Sequence, residues 1–173
     1  VLLAYADQAG LLVGNELEQE PKSSEDIRQF IEAYAAALAS REANSSRLQL
    51  MSILDEAIQA NVEPQPLLTG RLDEWDEKRA GKVGRHETFN ALNALTLTFY
   101  GLFQITRKRW VATGETCPYC RALNGTVVEI EKVFLGKDTD FQPEGADRPL
   151  SSRVDLGHPP AHGGCDCVVI AER

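Results

Sequence analysis

All four cysteines of the chain, and two of its three histidines, lie in two short stretches. The first is Cys117-Pro118-Tyr119-Cys120. The second is His158-Pro159-Pro160-Ala161-His162-Gly163-Gly164-Cys165-Asp166-Cys167. A Cys-x-x-Cys turn presents two sulfurs to one ion, and a second group of donors from a distant loop completes a tetrahedron of the kind zinc prefers. Pro118 and the Gly163-Gly164 pair supply the turn chemistry such knuckles need. Cys165 and Cys167, two apart, share a face if the chain is extended, and His162 can close a loop onto the same ion. Five donors therefore compete for four places. The spacing favours Cys117, Cys120, His162 and Cys165 as ligands of a structural zinc, with Cys167 able to displace His162. His158 is the poorest candidate, because Pro159-Pro160 stiffens the chain beyond it. Paired disulfides are the rival use of four cysteines, but residues as close as Cys165 and Cys167 suit a local bridge badly.

The bulk numbers bound what surrounds this cluster. With 173 residues, 43% hydrophobic and 25% charged, the chain has enough apolar material for a real core. Lys and Arg number 18 against 26 Asp and Glu, and a net charge of −8 does not advertise a nucleic-acid surface. Charge is nevertheless uneven. Between residues 81 and 110, Lys82, Arg85, Arg107, Lys108 and Arg109 face Glu87 alone, so this stripe is the one expected place for an acidic partner or DNA. No apolar run approaches the roughly 20 residues of a membrane span. The sequence opens on Val1 and its only methionine is Met51, which suggests a processed product or a piece of a larger polypeptide.

The positioning elements follow from hydrophobic period. Residues 1–15 read as a helix broken at Gly10, or as a segment packing on a missing neighbour. Ser23-Ser24 followed by Glu25-Asp26 caps a helix. Ile27, Phe30, Ile31, Tyr34, Ala35 and Leu38 then carry its apolar face to about Arg41. Asn44-Ser45-Ser46 restarts a second helix, which Pro64 and Pro66 stop. Gly81 and Gly84 mark a hinge, after which a long, central helix runs from about Arg85 through Phe89, Leu92, Leu95, Phe99 and Leu102. Short strands are expected at Trp110–Ala112, Thr126–Ile130 and Cys167–Ile170, with Asn124-Gly125 as a turn between the first two. Residues 136–157, rich in Gly, Asp, Pro and Ser, read as a long exposed loop whose ends the metal would hold together. Asp138, Asp140, Glu144 and Asp147 lack the order of a calcium loop and read as solvated acids. The expected fold is α+β and mainly α, with a helical region over 1–106, part of a larger chain, and a zinc-stapled β module over 107–173.

Arg85-His86-Glu87-Thr88 opening a long helix, the Trp110 strand, Cys117-Pro-Tyr-Cys120 followed by Ala122-Leu123-Asn124-Gly125, and Pro159-Pro160-Ala161-His162 leading to Cys165-Asp166-Cys167 come in a particular order. In that order, over about residues 85–170, the chain resembles the phage Mu F-like minor head protein, or head morphogenesis, family. In that family a proline usually follows the histidine and an arginine separates the last two cysteines; here Gly163 and Asp166 occupy those places. The resemblance implies a minor, portal-associated structural protein of a tailed-phage or prophage head. Its expected partners are portal and capsid proteins, with contact to packaged DNA, and its expected place is the virion, or the host cytoplasm during assembly. Members are sometimes fused to portal proteins or toxin domains, which would suit an upstream domain here.

Two enzyme readings compete with it. A zinc-dependent nucleobase deaminase pairs His-x-Glu with Pro-Cys-x-x-Cys. His86 lies at a tempting distance before Cys117, but Glu87 is adjacent to it and the proline falls inside the knuckle. A treble-clef zinc nuclease would need a catalytic histidine apart from the ligands and a basic surface. The histidines here are embedded in the ligand cluster, and residues 111–173 are acidic on balance. His86 and Glu87 otherwise read as ordinary residues of a helix start.

Overall fold

The computed structural model describes residues 2–20, 25–113 and 117–172. The cap expected at Ser23-Ser24 lies outside them. Helix α1 (Leu2–Leu17) runs unbroken through Gly10. Its inward face carries Ala6, Ala9, Val13 and Leu17, which pack against Leu95, Phe99 and Tyr100. Gly10 is a place of close helix approach rather than a break: a Cβ there would sit 3.0 Å from Phe99 Cζ.

Helix α2 (Glu25–Ala60) is continuous where two helices were expected. Asn44, Ser45 and Ser46 do not cap a new start. Ser46 Oγ donates back to the Glu42 carbonyl at 2.7 Å, Gln49 Nε2 donates to Ser45 Oγ at 3.0 Å, and these side chains are satisfied inside the helix. After Asn61, held at a φ of 51°, Pro64 opens helix α3 (Pro64–Glu74) at a position where its missing N–H costs nothing. A π-helical turn, Trp75–Arg79, joins α3 directly to α4 (Ala80–Leu102). Gly81 and Gly84 are therefore helix interior, not a hinge. The returning helix lies along α2, where Arg79 donates to Ser46 Oγ at 2.8 Å and to Glu42 Oε2 at 2.9 Å, its guanidinium stacked 4.5 Å from the Trp75 ring centroid.

α4 is the spine, with Ala91, Asn93, Ala94, Leu95, Phe99 and Tyr100 buried. It meets α1 through the apolar core and α2 through a polar knot. In that knot Glu87 accepts from Tyr34 Oη at 2.7 Å and from Arg41 Nη2 at 3.0 and 3.1 Å. Burial and the adjacent Glu87 carboxylate push the Tyr34 phenol above its ordinary range.

The C-terminal part is a three-stranded antiparallel sheet in the order β2 (Val127–Glu129), β1 (Arg107–Val111), β5 (Val168–Glu172). A short helix α5 (Pro118–Leu123) lies between β1 and β2. Gly125, at a φ of 80°, makes the turn that Asn124-Gly125 announces. The stretch 136–157 is more than a loop. Strands β3 (Asp140–Phe141) and β4 (Leu150–Ser151) pair within it, and Leu135 bridges Leu156. Its ends are thus joined by backbone pairing, because Leu135, Phe141, Leu150 and Leu156 have apolar surface to bury against Trp110 and the cysteines.

Strand β5 is an edge of this sheet, yet its outward amides have partners. Val169 N donates to Asn93 Oδ1 at 2.8 Å, and Ala171 N to Glu16 Oε1 at 2.8 Å. Side chains of α4 and α1 take the place of a fourth strand. Glu16 also accepts from Tyr100 Oη at 2.5 Å, and this contact together with burial raises the Tyr100 pKa.

Candidate metal centre

Local folding of the knuckle begins with Cys117. In extended backbone at the N-cap of α5, it turns its sulfur back to accept from the Cys120 amide at 3.5 Å, while Pro118 occupies the first helical turn. One turn later Cys120 points the same way and is buried. From the other side, the chain descends through His162 to Cys165, whose amide donates to the His162 carbonyl at 3.2 Å, and on to Cys167 at the foot of β5.

The five expected donors meet. His162 Nε2 lies 3.0 Å from Cys117 Sγ and 3.4 Å from Cys120 Sγ, and Cys120 Sγ lies 3.6 Å from Cys165 Sγ. Cys117, Cys120 and His162 form one group of mutually close donors; Cys120, Cys165 and Cys167 form another, so Cys120 is shared. His158 is elsewhere. It stands half-buried near Lys108, with Nδ1 2.6 Å from the Pro159 carbonyl, and burial lowers its pKa, as does the charge of Lys108.

Three observations test whether these residues fit a metal ion. First, the Gly163 carbonyl, 2.9 Å from His162 Nδ1, can only accept. In the neutral ring the proton is therefore on Nδ1 and the lone pair on Nε2, the nitrogen that faces the sulfurs, which is the usual arrangement of a ligating histidine. Second, all four cysteines are free thiols. Burial and the neighbouring thiols of Cys167, Cys117 and Cys165 push the Cys120 pKa up, and burial also raises that of Cys167. A divalent cation reverses this balance, because its charge stabilises thiolates that the cluster alone does not. Third, the Trp110 indole N–H is fully buried and has no hydrogen-bond acceptor among the described residues. It stands close enough to Cys167 to favour ionisation of that sulfur, and a thiolate would supply the acceptor it lacks. The recess between the two groups measures about 90 Å³. That is room for an ion, and well short of the ~300 Å³ at which small-molecule sites begin.

Support around the donors comes from α4. Asn93 is 1% exposed; its Nδ2 donates to the Cys167 carbonyl at 3.1 Å while its Oδ1 takes the Val169 amide. Arg85 Nη2 meets Asp166 Oδ2 at 2.6 Å, and Thr113 Oγ1 donates to the Asp166 carbonyl at 2.6 Å. Sequence reasoning missed Asn93. Its signal was an amide that, with Asn90, interrupts the otherwise apolar run from Phe89 to Leu95.

Residues weighed for other chemistry are occupied differently. His86 belongs to neither donor group, and Glu87 is taken up by Tyr34 and Arg41. The basic stripe does not form one face: Lys108 is 2% exposed, Arg85 is paired with Asp166, and Arg109 with Glu172 at 2.5 Å. Burial holds the Lys108 ammonium below the ordinary lysine range. Asp140 accepts from Ser151 Oγ and is in no donor group among the described residues. Among the described residues, no helix is long and apolar enough to cross a membrane. Compared with protein-family models, curated proteins and solved structures, the chain has no match.

Proposed function

We propose that the chain is a structural protein whose C-terminal module is stapled by zinc, and that it serves as a minor, portal-associated component of a tailed-phage or prophage head. The observation that carries the zinc reading is the convergence of four free thiols and a histidine with its Nε2 turned inward. Thiolates with one imidazole suit zinc among the common divalent ions. Four of Cys117, Cys120, His162, Cys165 and Cys167 would hold the ion, and when bound it would supply a crosslink between the α5 knuckle and the foot of β5. With five candidate donors for four places, no coordination position is left for a reacting water, which favours a structural role over a hydrolytic one. The particle reading is supported by the order of motifs between Arg85 and Cys167, and assembly in a reducing bacterial cytoplasm would keep the thiols available. The helices would then provide the interface to portal or capsid.

The test is metal content by plasma mass spectrometry on protein purified without a metal affinity step, combined with thiol titration. About one zinc per chain, with thiols that react only after chelation, is the expected result. Absence of both metal and free thiols would overturn it. Co-fractionation with portal protein tests the particle reading separately.

A further inference from the structure

Helix α2 turns one apolar stripe away from the protein. Successive residues of an α-helix step round the axis by about 100°, so Leu48, Met51, Leu54 and Ile58 all lie within about 60° of Met51. The buried Ile53 and Ala57 lie on the other side. All four stripe residues are inside the helix and all are exposed: Leu48 59%, Met51 48%, Leu54 39% and Ile58 77%. Two charges share this face, Arg47 four places before Met51 and Asp55 four places after it, and both are exposed. Neither has an ion-pair partner among the described residues. Arg47 Nη1 instead lies 3.4 Å from Met51 Sδ, at the middle of the stripe.

We propose that this face binds a second copy of the chain, α2 against α2 and antiparallel, about a two-fold axis at Met51. The symmetry of the sequence about that residue is what chooses the occupant. A two-fold antiparallel pairing sets each residue before Met51 in one copy level with the residue equally far beyond it in the other. Met51 then meets Met51, and Leu48 comes level with Leu54 of the second copy. Arg47 comes level with Asp55 of the second copy, at both ends of the contact, so each unpaired charge gains its opposite. In a parallel pairing Arg47 would meet Arg47 and Asp55 would meet Asp55, so charge fixes the direction as well as the partner. A net charge of −8 per chain opposes association in general. The dimer therefore depends on this face for its attraction, and it is weak and concentration-dependent. The inference stands whether or not the metal and particle readings hold.

The test is sedimentation equilibrium of the full chain, kept reduced, over a range of concentrations. The expected result is a reversible equilibrium between monomer and dimer. Met51→Lys, which sets two ammonium groups together at the axis, abolishes the dimer. Arg47→Asp and Asp55→Arg each weaken it by about tenfold or more, because each sets like charges against one another at both ends. Mixing these two single variants in equal amounts, or combining both changes in one chain, restores dimerisation. Leu3→Ser, at an exposed apolar site on α1, leaves it unchanged. Every position changed is exposed, and circular dichroism checks that the fold is kept. A chain that stays monomeric at all concentrations would overturn the proposal, and so would a dimer that Met51→Lys leaves intact. A dimer equally strong in Arg47→Asp would overturn it too, because parallel helices merely exchange one like-charged contact for another at that position.

Discussion

The C-terminal module and the α2–α3 arm keep their shapes by different means. In the module, Trp110, Cys120, Leu123, Leu135, Cys165 and Cys167 are all buried in one cluster, so three of the candidate donors are part of that core. Few residues do much of the work. The arm has long regular helices but little interior, and its two halves are tied by polar contacts such as Arg79 with Ser46 and Glu42. Helix hydrogen bonds are local and need no distant partner; a sheet of three- and five-residue strands depends on what is packed against it. Removing one cross-chain contact should therefore be felt throughout the module and only nearby in the arm.

The sharpest way to break this contrast is to remove the shared donor. Cys120→Ser should abolish stoichiometric zinc, and since structural zinc sites contribute ~10–16 kcal/mol of apparent binding free energy, the module should lose its fixed packing. Hydrogen exchange would show protection lost in β1 and β5 while the helices of the arm keep theirs. Asn93→Ala comes next. It leaves the Cys167 carbonyl and Val169 amide buried without partners, at a cost of about 2–3 kcal/mol in urea unfolding. With Cys167 less firmly placed, zinc affinity should fall by about tenfold or more in a chelator competition. Arg79→Ala removes hydrogen bonds to Ser46 and Glu42 and the stacking on Trp75, a loss of about 1 kcal/mol. Exchange should quicken over residues 42–79 with no change in β1.

The smallest effect is on pH dependence. Burial depresses the folded-state pKa of His158 below its ordinary 6.5, so the unfolded chain takes up the proton first. Stability from the neutral ring is complete above 6.5 and is lost as pH falls through the folded value. His158→Gln should flatten the fall in melting temperature on acidification below that point.

The mainly helical α+β fold was legible, because helix and strand periods and the Asn124-Gly125 turn are local signals. The convergence of Cys117, Cys120, His162, Cys165 and Cys167 was legible too, since cysteine and histidine spacing survives without knowledge of the fold. Three errors share one cause. Gly10, Asn44-Ser45-Ser46 and Gly81/Gly84 were read as punctuation, and each lies inside a helix. At Gly10 the small residue admits Phe99 of α4, a contact between distant parts of the chain. Ser46 is satisfied partly by Glu42 within its helix and partly by Arg79 from across the arm. At Gly81 and Gly84 a Cβ would meet nothing, and nothing in the packing explains the glycines. Asn93 and Glu16 escaped notice because an amide or carboxylate that partners a strand looks no different in sequence from one that faces water.

Those same two side chains bear on how the protein behaves in a crowd. An open strand edge is a template on which other chains can grow, and hairpins in neighbouring molecules find it readily. At β5 the template is already answered, by one amide and one carboxylate held on rigid helices. A foreign strand would have to displace both and strand Tyr100 Oη without the acceptor it uses. The sheet is thereby closed to extension on that side at many copies per volume, without a barrel, a proline or an extra strand.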